Sequence, residues 1–99
     1  MKALPKILSF EWDAGNINKS LAKHLIRSNV AEEPFGDKNL LTFPDPTHSK
    51  TEDRYQLIGK TEQNNILFII YTLRKDKIRI ISARVANKNE RRFYENHKT

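Results

Sequence analysis

Three segments in the second half of the chain carry strand patterning. RYQLIGKT at 54–61, ILFIIYTL at 66–73 and KIRIISARV at 77–85 are rich in β-branched and aromatic residues. Two polar connections of hairpin length join them, EQNN at 62–65 and RKDK at 74–77. Upstream, Ile7–Trp12 reads as a short strand ending at Asp13, a helix N-cap residue. Ala14, Ile17, Leu21 and Leu25 recur at helical spacing and predict a helix over 14–25, with Gly15 and Asn16 weakening its first turn. A second helix is expected from Asn29, with Glu32 in the capping-box position, and it is cut short by Pro34 and Gly36. Leu40–Phe43 is a candidate strand, and PDPTHSKTED at 44–53 is turn chemistry throughout. Asn87, with Glu90 three residues on, starts a last helix that runs to about Asn96. This order predicts an α+β fold. An antiparallel sheet, a three-stranded C-terminal meander plus the N-terminal strand, is packed by two N-terminal helices and a C-terminal helix.

Hairpins closed over 62–65 and 74–77 set Thr61 opposite Ile66 and Leu73 opposite Ile78. Strand alternation then puts Tyr55, Leu57, Phe68, Ile70, Ile81, Ala83 and Val85 on one face, with Thr72 and Arg79 at its end. The other face carries Arg54, Gln56, Ile58, Lys60, Ile69, Tyr71, Ile80, Ser82 and Arg84. The first is the better core and the second the better binding surface. In this register Arg79 belongs to the core rim and Arg84 to the surface, and a slip of one residue exchanges the faces.

Ninety-nine residues make one domain, spanning 1–99. The absence of cysteine excludes disulfides and thiolate metal sites. MKALPKILSFEWD has no signal-peptide pattern, and nothing approaches the roughly 20 apolar residues of a membrane span. A cytoplasmic setting with no membrane partner is expected. Charge changes the picture more. Residues 1–73 hold nine Lys/Arg and nine Asp/Glu, whereas residues 74–99 hold nine Lys/Arg and three acids, so the last 26 residues carry the whole net charge of +6. Such a field favours polyanions. A solvated basic face without a partner accounts for it equally well.

The segments FEWD (10–13), KH (23–24), PDPTHS (44–49), RYQLIGKT (54–61), YTLR (71–74), IRIISAR (78–84) and NERRFY (89–94) occur in the order found in BrnT-type toxins, which the chain resembles from Phe10 to about Glu95. IGKT…IRIISAR followed by E-R-R-x-Y is the most specific part. The resemblance implies a RelE-like fold and a ribonuclease that cleaves RNA and blocks translation. It also implies a BrnA-like antitoxin partner, with operator DNA contacted indirectly through that antitoxin. The family continues after KH with glycine or arginine. Here the sequence reads KHLIRSNVAEEPFGD, and without a glycine to supply a positive φ the first helix is expected to run longer or to end on Asn29.

Metal-free RNA cleavage needs a base for the 2′-hydroxyl, an acid for the leaving 5′-oxygen, and cations at the phosphorane. Arginine suits the last role, because its planar fork meets phosphate oxygens in pairs. Arg84 is the first candidate phosphate ligand, and its alternative is an edge-of-sheet arginine paired with Glu90 or Glu95. Arg79 and Arg54 are the further candidate catalytic cations, against a structural bridge for the one and surface solvation for the other. His24, flanking the apolar stripe near a helix C-terminus, is the candidate acid or base, or else a histidine holding a loop carbonyl. Lys23, Tyr71, Ser82, Arg91, Arg92 and Tyr94 complete the candidate RNA-binding set. Packing is the competing role for Tyr94, and solvation for Arg91 and Arg92. Glu90 reads as the cap partner and Trp12 as a core anchor. His48 and His97 lie in a loop and near the terminus. With no HExxH and no two histidines on one helix turn, no metal or other cofactor is expected.

Overall fold

A computed structural model describes residues 9–17, 25–46 and 52–97. Among them a short helix α1 (Ser28–Glu32) runs into a 3-10 turn (Glu33–Gly36), followed by β1 (Leu41–Pro44), β2 (Arg54–Lys60), β3 (Ile66–Arg74), β4 (Lys77–Val85) and α2 (Lys88–His97). The architecture is α+β: one open sheet in the order β1-β2-β3-β4, every neighbouring pair antiparallel. The fourth strand of this sheet is β1, not the N-terminal segment. That segment adds only a parallel bridge between Phe10 and Ile78, beside the β4 edge. Two backbone hydrogen bonds flank the bridge, Ile78 N–H to Ser9 O and Glu11 N–H to Ile78 O. Beyond them Asp13 turns the chain away: its carbonyl accepts from Asn16 and Ile17, and its Oδ1 accepts from Gly15.

The strands themselves lie where the pattern predicts, but their registration differs. Lys60, not Thr61, stands opposite Ile66, a slip of one residue along the whole β2–β3 pair. Thr61 instead closes the connection: its N–H donates to Asn65 O, and its Oγ1 accepts from Asn65 N–H. The β3–β4 hairpin starts in the expected register, with Leu73 opposite Ile78. Lys75 and Asp76 take φ of 48° and 68°, the positive values a two-residue hairpin requires. Tyr71 then pairs with Ile80, and Ile70 pairs with Ser82. Ile81 is left over as a β-bulge.

These two displacements redistribute the sheet faces. Leu57, Leu67, Ile69, Tyr71, Ile78, Ile80 and Ala83 form the main core with Ala31 and Phe35, and Phe10, Trp12, Ile26, Val30, Leu40, Tyr55 and Leu73 pack around them. Phe68, Ile70, Thr72 and Arg79, expected on the core face, stand on the opposite one. Ile69, Tyr71 and Ile80 move the other way. On that opposite face α2 covers one end, burying Tyr94 against Ile58, Ile66 and Ala86, with Phe43 and Phe68 alongside.

Gly59 matters for this packing. A Cβ there would come within 2.9 Å of Pro34 Cβ and 3.0 Å of Pro34 O, so the 3-10 turn lies directly on the β2 backbone. Upstream, the helix expected over 14–25 lies largely outside the described residues, and no helix continues from it to Asn29. Leu25 has φ 58°, residues 25–27 are not helical, and α1 begins at Ser28. The glycine position of the resembled pattern thus keeps its left-handed backbone with leucine in it. No side chain caps α1, and Glu32 accepts a hydrogen bond from Trp12 Nε1 at 2.6 Å instead of closing a box with Asn29. At α2 the expected box is complete. Glu90 N–H donates to Asn87 Oδ1 and Asn87 N–H to Glu90 Oε1, each at 2.8 Å.

Candidate functional site

The second sheet face, from the α2 packing at Phe68 onward, carries Arg84, Ser82, Ile70, Gln56, Thr72, Arg79 and Arg54. Pairings Arg54↔Thr72, Thr72↔Arg79, Gln56↔Ile70, Ile70↔Ser82 and Phe68↔Arg84 run across it. Arg79 and Arg84 are five residues apart and would fall on opposite faces of a regular strand. The Ile81 bulge brings them to the same one. Thr72 is buried and donates to Asp53 O, while the other members are half-buried. Three arginines, an amide and a hydroxyl therefore share one surface.

Each of the two β4 arginines is gripped by carboxylates. Arg79 donates Nη1 to Asp13 Oδ2 at 2.9 Å and to Glu11 Oε1 at 3.0 Å, and Nη2 to Asp13 Oδ1 at 3.0 Å. Arg74 extends this into a chain, its Nε and Nη2 on Glu52 and its Nη1 3.5 Å from Glu11. Arg84 donates Nη1 and Nη2 to the two oxygens of Glu90 at 2.8 and 2.9 Å, and its guanidinium carbon lies 4.3 Å from the centre of the Phe68 ring. The pairing with Glu90 that the sequence allows is thus present. The Arg79 hydrogen bond, then that from Gly15, holds the Asp13 carboxyl below the usual aspartate range. Burial opposes ionisation of Glu90, but hydrogen bonds from Arg84 and Asn87 outweigh it and keep its carboxyl below the ordinary value.

Apart from Ser82, the other described candidate residues lie elsewhere. Tyr71 is 2% exposed on the core face, its hydroxyl 2.7 Å from Thr42 Oγ1, and burial pushes its phenol pKa up. Tyr94 is 1% exposed and donates to Asp37 Oδ2 at 2.6 Å; burial, then the Asp37 carboxylate, raises its phenol far above the usual range. Neither ring presents a face for a base to stack on. Ser82 is on the arginine face. Arg91 and Arg92 are exposed on α2, and Arg91 donates to Ala86 O. His97 is exposed, with Nδ1 2.8 Å from Phe93 O. Lys23, His24 and His48 lie outside the described residues. Among the described residues no three His, Cys, Asp or Glu side chains converge as a metal-binding group, and no helix is long and apolar enough to cross a membrane.

Sequence reasoning missed the acids that hold Arg79. FEWD alternates aromatic and acidic residues, and alongside β4 this sends Phe10 and Trp12 to the core and Glu11 and Asp13 to the arginine. That alternation was the available signal. Asn16, read only as a weak helix former, is 3% exposed. Its amide donates to Glu11 O and Ile80 O and accepts from Asp13 N–H, so it ties the segment to β4.

The geometry is that of a small α+β module with a basic, arginine-bearing sheet face backed by acids. The family model of the ribonuclease toxin BrnT of type II toxin–antitoxin systems matches residues 12–90, most of the chain, and the protein belongs to that family. No curated relative matches the chain. The matched range runs from Trp12 of the FEWD segment to Glu90, so it includes all three arginines and two of the three carboxylates that grip Arg79 and Arg84, Asp13 and Glu90, with Glu11 one residue outside it.

Proposed function

We propose that this protein is a metal-independent endoribonuclease that uses the arginine face to bind and activate an RNA phosphodiester, and so blocks translation. The observation that carries this reading is the common face of Arg54, Arg79 and Arg84 on either side of Phe68, Ile70 and Thr72. In the reaction the 2′-oxygen forms a bond to phosphorus as the bond from phosphorus to the 5′-oxygen breaks. A base removes the 2′-proton and an acid supplies one to the leaving oxygen. Arg84 and Arg79 stabilise the extra charge on the phosphorane, the role in which aimed donors contribute most. Metal is not needed in this scheme, because the guanidinium groups supply the charge a cation would otherwise bring. His24 is assigned the proton transfer, since an imidazole titrates near neutrality. Gln56 and Ser82 flank the phosphate as neutral donors, and Lys23, Arg91 and Arg92 add attractive field.

The family's place in type II systems supports a protein antitoxin as the natural partner. We assign it to a BrnA-like protein that represses the shared operator through its own DNA-binding domain. A RelE-like fold and action in the cytoplasm belong to the same reading. The carboxylates already on Arg79 and Arg84 favour a second reading, a non-catalytic RNA- or ribosome-binding module, or a degenerate toxin kept for antitoxin binding and operator control. Purified protein incubated with RNA in excess chelator separates them. Fragments that form far more slowly, but still measurably, in Arg84→Ala, with unfolding unchanged, support catalysis. Intact RNA with retained binding supports the second reading and overturns the first.

A further inference from the structure

Arginine has two planar edges that can each meet a pair of oxygens: the end, formed by both Nη groups, and the side, formed by Nε and one Nη. Arg74 gives its side edge to Glu52, through Nε and Nη2. Arg84 is held the other way. Glu90 takes both Nη groups, Val85 O adds a weaker acceptor at 3.3 Å from Nη1, and Phe68 lies against the guanidinium plane. The hydrogen bonds Arg84 makes among the described residues all use Nη atoms, which leaves its Nε–H available to a further acceptor. Glu90 is itself immobilised, because the oxygen that meets Arg84 Nη1 also accepts Asn87 N–H at the start of α2. One carboxylate therefore locks a helix start and an arginine together.

We infer that Glu90 is a positioning residue for RNA cleavage: it grips Arg84 by the Nη end so that the Nε edge is presented, already ordered, to a substrate phosphate. This rests on the reading of the arginine face as the RNA site. A long, flexible side chain held on two sides loses little further freedom when substrate arrives, and the benefit falls on catalytic geometry. Glu90→Gln keeps one oxygen that can accept from both Asn87 N–H and Arg84 Nη1 and loses only the acceptor for Nη2, whereas Glu90→Ala keeps neither.

Two measurements test this. In RNA cleavage, Glu90→Ala lowers kcat by roughly ten- to a hundredfold, as small misplacements do, and Glu90→Gln retains most of the rate. Added to Arg84→Ala, Glu90→Ala gives no further loss, since it acts through Arg84. An equal loss in both backgrounds, or tighter RNA binding by Glu90→Ala, overturns the proposal in favour of a purely structural or a masking carboxylate. The second readout does not depend on cleavage. The Nε–H resonance of Arg84, assigned by its disappearance in Arg84→Lys, is followed while a short 2′-O-methyl RNA is added. It shifts saturably in the native protein and in Glu90→Gln, but not in Glu90→Ala. A native resonance that never moves defeats the positioning role even if RNA is cut. RNA left intact while the resonance shifts defeats the ribonuclease reading and leaves the positioning geometry standing.

Discussion

Arg79 and Arg84 lie on the same face of β4 because Ile81 bulges out of the ladder between them. Regular alternation would have separated them, one to the core rim and one to the surface. As neighbours on one face they are proposed to bind RNA as a pair. Each phosphate contact removed from a single-stranded RNA complex flattens the log–log salt dependence by about 0.7. Arg79→Gln and Arg84→Gln should each reduce the slope by about that amount, and the double variant by about twice as much. Fluorescence anisotropy across a salt series checks this, and a slope unchanged in either single variant removes that arginine from the interface.

Leu25 places an exposed leucine, 82% accessible, at φ 58°. A left-handed conformation costs an L-residue with a Cβ roughly 1–2 kcal/mol, and glycine avoids most of that. Leu25→Gly should raise stability by about 1 kcal/mol, after allowing for the greater freedom glycine has when unfolded. An increased urea midpoint at unchanged m-value is the expected result.

Gly59 lies under the 3-10 turn and Gly36 ends that turn, and the two should respond differently. A Cβ at 59 meets Pro34 at 2.9 Å, while one at 36 meets nothing within 4 Å. Gly59→Ala should cost about 1–3 kcal/mol by forcing the 3-10 turn off β2. Gly36→Ala should stay within about 0.5 kcal/mol of neutral. Equal thermal midpoints for the two variants would show that the turn yields freely.

Asp13, Asp37, Glu52 and Glu90 all have carboxyl pKa values below their ordinary ones in the folded protein. For Asp37 burial pulls upward but hydrogen bonds from Tyr94, Asn39 and Lys60 win, and for Glu52 the Arg74 pairing dominates. A depressed folded pKa means the unfolded chain binds the proton more readily, so the stabilisation is full above the unfolded values, 3.8 for aspartate and 4.5 for glutamate, and is lost as pH falls through the folded ones. Stability should be flat in this respect near neutrality and should decline with acidification from about pH 4.5. Glu90→Gln should make that decline shallower. Urea titrations at a series of acidic pH values read both effects.

Much of this protein was legible from its sequence. The β-branched run of 77–85 gave β4 to the residue, and Asn87 with Glu90 gave the start of α2, because both signals are local. Arginines and charge excess marked the basic half for the same reason. Registration was not local. The connection between β2 and β3 absorbed Thr61 into its own hydrogen bonds, and Ile81 left the ladder, and each event is decided by how strands pack against a shared core. Those two residues determined which side of the sheet every later side chain occupies. They moved Tyr71 into the core and united Arg79 with Arg84. The partners of the arginines also came from the tertiary structure, since Glu11 and Asp13 reach Arg79 across more than sixty residues of chain. Sequence alone determined β2, β3, β4, α2 and the charge they carry. Only three-dimensional packing decided which charges face one another, because a strand's alternation gives the spacing of its side chains but not the side of the sheet on which the count begins.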